Sequence, residues 1–544
     1  MNQRHTIPLV LFCLLACTSM VLSAADGERL YLERCAMCHQ PAGTGVPPVY
    51  PPLAGSDWLA THRQPAIKAL CEGLSGALDV KGQKYDNVMP AQVLDDQQAA
   101  AVLNYVGSSW DNKLPVFTPE EVAGVRQSSR FPTFELLTKA SAFSPLPKPP
   151  SGWTVRELVQ LPETCTRFAS NGSGTTYLLA EHGNVYRIDA ATGGLELKIK
   201  AADYLEPARH NPSTLGMAQD RSGRIWIVCN RQITGVNPVE NEVAIYRTEP
   251  AGDSTNLIPK PWLVVTLPYG VGPYNHGVSN MAFGPDDMLY VSSGSRTDGG
   301  EAGTDPHFYQ GGEVDKTACI WRLDPNAGQP KVEVFARGIR NAYGFAWHPD
   351  GRLFSVSNGP DANAPEELDL VQQGRHYGFP FQFSDWPVAP GKPYTYTPKP
   401  PVGLEFTPAL RNLGPAGGGR SDRPIATFDP HSSPGGMVWC GDDFAPPLRG
   451  GFLMPRFGNL LGPPAAPEDV GFDLLSVKLS DDGPGLCVHT ETVLAPLGRP
   501  LDVIRSAPGV AWILEYTRPT NFKGQLGWLP GRILELKAAA PVAK

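Results

Sequence analysis

The chain has 544 residues, 46 Lys+Arg against 54 Asp+Glu for a formal charge of −8, and 57 glycines beside 56 prolines. That much Gly and Pro without a strict period excludes a coiled coil, a long helical bundle and a collagen, while 41% hydrophobic and 18% charged residues allow a large core. A mildly acidic chain with no basic block is not built to neutralise nucleic-acid phosphates, so any anionic ligand must be held by a few local cations.

Arg4 precedes an apolar stretch over 8–22, and Ser23, Ala24 and Ala25 are the small residues signal peptidase needs. Residues 1–25 therefore read as an export signal, with a mature chain starting near Asp26 in the periplasm. The stretch 14–17 (LLAC) also resembles a lipobox, which would instead leave a lipoprotein anchored at Cys17. No later segment reaches the ~18 unbroken apolar residues of a membrane span. Of ten cysteines, Cys13 and Cys17 fall in the signal. Cys71, Cys165, Cys229, Cys319, Cys440 and Cys487 either pair in an exported protein or serve as small buried hydrophobes, and connectivity is not readable from sequence.

Cys35, Ala36, Met37, Cys38 and His39 spell CxxCH. One helical turn presents two thiols to two haem vinyl groups, and the adjacent imidazole reaches the iron. A redox CxxC follows a strand, and zinc needs a second ligand pair; here a helix-like run over 26–38 precedes and no partner pair follows. Met89, followed by Pro90 and Ala91, is the candidate sixth ligand, a thioether that raises the potential in His/Met coordination; the other reading is a core methionine. Apolar positions Val102, Leu103, Tyr105 and Val106 give 94–110 helical spacing. With the PPLAGSDW stretch at 51–58, residues 26–112 resemble a small all-α class I cytochrome c carrying one covalent haem.

Thr118, Pro119, Glu120 and Glu121 predict a capped helix ending near Gln127. The stiff SPLPKPPSG run at 144–152 then closes a linker spanning 113–152. From Trp153 a turn followed by a strand recurs at NGSGTTYLLAEHG (171), RSGRIWIVCN (221), GPDDMLYVSSG (284), HPDGRLFSVSNG (348), RGGFLMPRFG (449) and APGVAWILEY (507). Each is answered by a second run: GNVYRID, NEVAIYRTE, TACIWRLDP, EELDLVQQG, FDLLSVKLS and GRILELK. Units this small cannot bury both faces alone, so they stack radially, and six of them over 153–540 predict an all-β six-bladed propeller with a loop-lined funnel. The long gap from 348 to 449 must hold an insertion, placed in the Pro-rich stretch 387–430.

Four constellations sit at repeat ends. Asn275 and His276 precede the third repeat, where an imidazole is either a general base near neutral pH or a structural loop histidine. Arg340 and Asn341 stand ahead of the fourth; Arg holds a carboxylate or a developing oxyanion, or forms a surface ion pair. Asn358, Gly359 and Pro360, with Glu366, Glu367 and Asp369 behind them, offer the oxygens calcium wants, or form a solvated acidic loop. Arg456 and Arg499 are two more cations able to meet an anion in the funnel.

In this order, with an HSSPG segment over 431–435 and a closing RPLDV, the motifs from about 150 to 540 resemble the soluble quinoprotein glucose/sorbosone dehydrogenase family. The resemblance implies calcium and pyrroloquinoline quinone (PQQ) in the funnel. It implies His276 taking a proton from a sugar hydroxyl while hydride passes to the quinone, and Arg340 stabilising the charge that develops there. Asn341, Arg456 and Arg499 would hold PQQ, the carbonyls of Gly359 and Pro360 calcium, and Asn211 the substrate. Three departures stand out: Ser295 where the family has Asp after Gly294, Leu501 where it has a second Arg, and Phe379 in place of Trp. The implied function is a periplasmic sugar, alcohol or aldehyde dehydrogenase that passes electrons to its own haem and on to a downstream cytochrome or oxidase. The rivals are a non-catalytic propeller fused to an electron carrier, and a haem-d1 nitrite reductase, which has eight blades.

Overall fold

The computed structural model describes residues 24–539 except for 46, 48–49, 75, 87–88, 90, 93, 129–142, 207–211, 234–235, 251–256, 271–274, 303–307, 362–363, 384–397, 423, 460–469, 484 and 519–528. The bulk of the export signal with Cys13 and Cys17, as well as Pro90 and the substrate candidate Asn211, lies outside the described residues.

Six helices open the chain: α1 (Ala24–Arg34), α2 (Ala36–His39), α3 (Asp57–Thr61), α4 (Arg63–Glu72), α5 (Asp96–Ser108) and α6 (Pro119–Gln127), with a short hairpin of β1 (Leu78–Val80) and β2 (Gln83–Tyr85). At Gly27 a Cβ would stand 2.3 Å from the Ala101 carbonyl oxygen, so the absence of a side chain is what lets α1 and α5 meet. Around that crossing Leu30, Tyr31, Ile67, Leu70, Val102, Leu103 and Val106 form one buried core. The helix expected at 94–110 is α5, started by a capping box in which Asp95 accepts from Gln98 N at 2.8 Å and Gln98 Oε1 accepts from Asp95 N at 3.0 Å. Likewise α6 begins as its sequence predicts, with Thr118 Oγ1 accepting from Glu121 N at 3.2 Å. It is not a free linker helix, however. Val122 and Phe117 join the same core, Arg63 grips Glu121 through two 2.6 Å bonds, and Arg126 meets Asp96 at 2.7 Å. The helical unit thus runs past 112 to Gln127, because the apolar side of α6 is buried only against its neighbours.

Six larger sheets follow. β4 (Cys165–Ala169), β5 (Thr176–Ala180), β6 (Val185–Ile188) and β7 (Leu195–Ile199) make the first blade; β8 (Pro212–Gln219), β9 (Ile225–Ile233), β10 (Glu240–Arg247) and β11 (Lys260–Pro268) the second. The third holds β12 (Val278–Phe283), β13 (Leu289–Ser293), β14 (Cys319–Leu323) and β15 (Glu333–Arg337), and the fourth β16 (Gly344–Trp347), β17 (Leu353–Ser357) and β18 (Glu367–Val371). The fifth is built on β21 (Val438–Cys440), β22 (Gly451–Arg456), β23 (Asp473–Gly483) and β24 (Gly485–Leu494), and the sixth on β25 (Pro500–Ala507), β26 (Val510–Thr517) and β27 (Pro530–Ala538). Every repeat read from the sequence is the second strand of a blade and every answering run the third. Six blades exclude the eight-bladed reading.

The second strands β5, β13, β17 and β22 are buried along their whole length, as they must be when neighbouring blades cover both faces. The turns leading into them are tight: Gly351 and Gly509 take φ of 92° and 68°, a left-handed conformation that costs a side-chain residue strain. The ring closes through β3 (Trp153–Gln160), which pairs antiparallel with β27, so the first strand after the linker completes the last sheet. The Pro-rich insertion carries strands of its own: within it β19 (Arg411–Pro415) and β20 (Ile425–Ala426) extend the outer edge of the fifth blade, β19 running parallel to β24.

Arg167 on β4 marks the axis. It donates to Leu215 O on β8 (3.2 Å), Ser279 O on β12 (3.3 Å), Tyr343 O beside β16 (3.1 Å) and Asp502 Oδ1 on β25 (3.5 Å). A guanidinium that touches four other blades must sit where all first strands converge.

Candidate functional site

In the helical unit Cys35 N still bonds Tyr31 O at 2.8 Å and His39 N bonds Cys35 O at 2.9 Å, so the backbone turns helically through the CxxCH motif. That brings the two thiols and the imidazole to one side. Nδ1 of the buried His39 donates to the Pro51 carbonyl at 2.9 Å; a carbonyl only accepts, so the proton is on Nδ1 and Nε2 is left as the metal-binding nitrogen. Burial also lowers the His39 pKa, which favours the neutral ring a ligand needs. Met89 is fixed by reciprocal backbone bonds with Leu74 of 2.9 and 2.8 Å and packs on the domain core. Cys35 and Cys38 are not disulfide-bonded, and burial pushes their thiols up to about 12 and about 11. The residues fit a covalently attached haem. The other six cysteines are all buried and unpaired, which favours the small-hydrophobe reading.

On the propeller, His276 lies just before β12, Arg340 and Asn341 before β16, and Arg499 before β25, whereas Gly359 and Pro360 follow β17 and Arg456 ends β22. In an antiparallel pair the start of one strand neighbours the end of the next, so all seven residues lie on one face of the ring.

Ser295 joins the first two. Its N–H donates to the Arg340 carbonyl at 2.7 Å, and its own carbonyl accepts from His276 N at 3.1 Å. The His276 ring returns to the same residue, Nδ1 standing 3.1 Å from Ser295 O and 3.0 Å from Ser295 Oγ. Because the Ser295 hydroxyl donates its hydrogen to Thr297 O at 2.8 Å, both oxygens facing Nδ1 are acceptors. Nδ1 therefore carries the proton, and Nε2 is the ring nitrogen that can accept one. Gly294 holds Asn341 in the same cluster: a Cβ there would lie 2.5 Å from His276 Cβ and 3.4 Å from Asn341 Oδ1.

Arg340 is almost fully buried. Nη2 meets Asp298 Oδ1 at 2.6 Å, Nε donates to Asp298 O at 2.8 Å, and Nη1 to the carbonyls of Asn358 (3.1 Å) and Gly359 (2.8 Å). Asp298 also accepts from Asp361 N at 3.2 Å, tying the Gly359–Pro360 loop to the arginine. Beneath that loop Glu366 accepts from Gly359 N at 2.5 Å and Ser433 N at 3.2 Å, and burial pushes its carboxyl up to about 7. The solvated-loop reading of the acidic run fails, since Glu366 and Asp369 are both buried. Asp369 is pushed up to about 8 by burial, and neither of its oxygens has a hydrogen-bond partner.

Arg456 and Arg499 form a second group, linked to the first through the 431–435 segment, where Phe457 N donates to Ser433 O at 2.8 Å. Asp473 holds Arg456 through bonds of 2.9 and 2.8 Å, with Asp429 at 3.2 Å. Arg499 is fully buried between the rings of Phe457 and Phe472, its Nη groups 3.4 and 3.1 Å from the carbonyls of Gly458 and Asn459. Burial pulls its pKa down to about 9, which leaves it charged at neutral pH, and a neighbouring anion would offset the cost of that buried charge. For a polyanionic cofactor the fit is good at His276 and Asn341 and requires Arg340 to share its charge with Asp298, and Arg456 with two carboxylates.

Sequence reasoning missed Asp298, the orienting role of Ser295, and the Arg167–Asp502 pair, whose guanidinium stacks on the Tyr343 ring at 4.5 Å, two residues past Asn341.

A cytochrome c family model matches residues 24–110, and a glucose/sorbosone dehydrogenase model matches 221–460. Cytochrome c-552 of Thermus thermophilus is 40% identical over 134 residues, 23% of this chain and 88% of that protein. The chain belongs to the cytochrome c family. Behind that cytochrome stands a six-bladed propeller, and the glucose/sorbosone dehydrogenase match lies within it. Quinoprotein glucose dehydrogenase B of Acinetobacter calcoaceticus is 22% identical over 224 residues, 36% of this chain and 46% of that protein, so the chain matches under half its length. The PQQ-bound aldose sugar dehydrogenase of Streptomyces coelicolor superposes on 72% of this chain and 99% of its own, with a TM-score of 0.44 at 19% identity. A cytochrome c domain carries haem, and Cys35, Cys38 and His39 all lie in the matched stretch. No described helix is long and apolar enough to cross a membrane.

Proposed function

We propose that the chain is a periplasmic quinoprotein dehydrogenase that oxidises a sugar or a related alcohol or aldehyde and passes the electrons to its own covalently bound haem. The observation that carries this reading is the meeting of His276 and Arg340 on Ser295. PQQ, when bound, supplies a quinone carbonyl that accepts two electrons. The protein's part is proton and charge handling. His276 Nε2, fixed as an acceptor by the bonds at Nδ1, takes the hydroxyl proton of the substrate, and Arg340 places positive charge where negative charge grows. Asn341 orients the group between them. Gly359 and Pro360 would hold calcium through backbone carbonyls, a ligand type that suits a hard cation. Haem fits the role of one-electron acceptor; His39 and Met89 would hold its iron, and a thioether ligand would raise its potential. Electrons then leave for a downstream cytochrome or oxidase.

The salt bridges of Arg456 to Asp473 and Asp429 favour a second reading, a non-catalytic propeller beside an electron carrier, because they leave fewer cations for a tricarboxylate. Dye-linked turnover measured across aldoses, cyclic alcohols and aldehydes, with and without PQQ and calcium, separates the two. PQQ-dependent turnover supports the dehydrogenase, and no uptake of PQQ supports the binder.

A further inference from the structure

Between the third and fourth blades a cavity of about 380 Å³ opens to solvent. Its rim runs through the turns at 284–288 and 348–352, each of which joins a first strand to a second. His276 and Arg340 precede first strands, so these turns lie on the face of the ring opposite the funnel. The length of β17 sets the separation. Leu353 at its start lines the cavity and Ser357 at its end accepts from Asn341 N at 3.1 Å, the two ends standing about 13 Å apart. A molecule held here is out of reach of the residues assigned to the oxidation.

Three rings make the wall. Tyr290 packs edge-on against Phe335 and Trp347, with centroids 5.1 and 5.2 Å away at 81° and 73°. Phe335 and Trp347 are only half-buried and offer ring surface to whatever enters. Gly284 permits this approach, since a Cβ there would stand 2.7 Å from Tyr290 Cε2 and 3.2 Å from Trp347 Cζ2. The mouth is polar, but its charges are matched. Asp286 accepts from Arg322 at 3.0 Å and from the Tyr290 hydroxyl at 3.2 Å, Arg322 reaches Glu333 at 3.3 Å, and Arg352 Nε donates to Asp350 at 2.8 Å. Neither a cation nor an anion finds an uncompensated opposite charge. Hydrogen-bonding capacity is still left over: among the described residues the Trp347 indole N–H, the Gln372 side-chain amide and the Arg352 Nη groups have no hydrogen-bond partner.

We propose that this cavity is a second, non-catalytic site that takes one neutral pyranose ring, either a free sugar or the end residue of a glycan. Such a ring has an apolar face of C–H groups and a rim of hydroxyls, and the cavity offers a counterpart to each. The C–H face lies on Phe335 and Trp347, whose π faces carry negative potential, while the hydroxyls bond Gln372, Trp347 Nε1 and Arg352. At about 380 Å³ the cavity is near the lower bound for small-molecule sites, with room for one ring and not for a length of chain. No bond is made or broken there. The site holds sugar on the far face while the funnel stays open, and it stands whether or not the funnel is a dehydrogenase.

The test titrates the full-length holoprotein with methyl β-D-glucopyranoside as the free-sugar probe, maltotriose as the glycan probe and tetramethylammonium as the cation probe. Calorimetry gives the affinity and backbone hydrogen exchange the place. Saturable sugar binding with Kd on the order of 1 mM is expected, with slowed exchange over 284–290 and 370–372. Because Trp347 packs between blades, Trp347→Leu is paired with Gln372→Ala at an exposed position. Binding should weaken about tenfold in the first and about threefold in the second, at unchanged dye-linked turnover in both. Equal affinity for the two sugars marks a free sugar as the ligand and tighter maltotriose a glycan end, and either supports the site. Absence of saturable sugar binding overturns it. So does protection confined to the funnel, affinity unchanged in both variants, or tighter binding of tetramethylammonium than of either sugar. Absence of dye-linked turnover in wild type counts against the dehydrogenase reading alone, and the binding results then decide this site by themselves.

Discussion

Arg340 and Asp298 form a buried ion pair of 2.6 Å whose carboxylate also accepts Asp361 N, so the arginine and the Gly359–Pro360 loop move as one body. Four of the five guanidinium N–H groups are engaged by Asp298, Asn358 and Gly359, a fork that a lysine cannot reproduce. Arg340→Lys is therefore expected to lower dye-linked kcat by about 10²- to 10³-fold, the usual loss when one charge-stabilising donor is removed. Circular dichroism should show the fold intact. Equal turnover in Arg340→Lys would remove the arginine from the reaction.

The axial pair predicts a stability effect without a direct catalytic one. Arg167→Ala leaves Asp502 buried without its cation, a loss of about 3–5 kcal/mol for a broken buried pair. Urea titration of the propeller transition measures it. The double variant Arg167→Met, Asp502→Leu should recover only part, because Phe168 N, which donates to Asp502 Oδ2 at 2.8 Å, is then left unsatisfied.

Asp369 predicts a pH effect. Its folded carboxyl is raised to about 8 by burial, well above the usual carboxylate range, so the folded state holds a proton that the unfolded chain gives up. The penalty is absent below about pH 4, where both states are protonated, grows as pH rises, and levels off above about pH 8. Asp369→Asn should gain stability over wild type across that window and show no pH-dependent gain below it, as followed by thermal unfolding from about pH 3 to 9.

The cytochrome half predicts a potential. Met89→Leu should keep the covalent haem at Cys35 and Cys38, open the sixth coordination position and lower the reduction potential, read by redox titration of the haem absorbance. An unchanged potential and spectrum would place the sixth ligand elsewhere.

What could be read in the sequence was local. CxxCH carries its own geometry, the α6 cap is written in four residues, Thr118 to Glu121, and each blade announces itself by a tight turn beside a strand rich in large apolar residues such as β13 or β17. His276, Arg340 and Asn341 were legible because they stand at the starts of such strands. Long-range partners were not. Arg167 and Asp502 lie 335 positions apart, Arg340 and Asp298 lie 42 apart in different blades, and nothing in either neighbourhood names the other. The closure of the ring by β3 and the addition of β19 and β20 to the fifth blade are decided by which sheet edge stands open, a property of the assembled ring. The acidic run at 366–369 left two readings open for the same reason: Glu366 and Asp369 are surface residues by composition and interior residues by position.

The most direct measurement is haem absorbance in the full chain, loaded with PQQ and calcium and mixed with an aldose in the absence of dye. Intact chain should convert ferric to ferrous haem within single turnovers, and His276→Ala, which keeps the haem and the fold, should do so at least about 10²-fold more slowly. Haem that stays oxidised in wild type across the substrate series, or that is reduced as fast without the imidazole, contradicts the assignment.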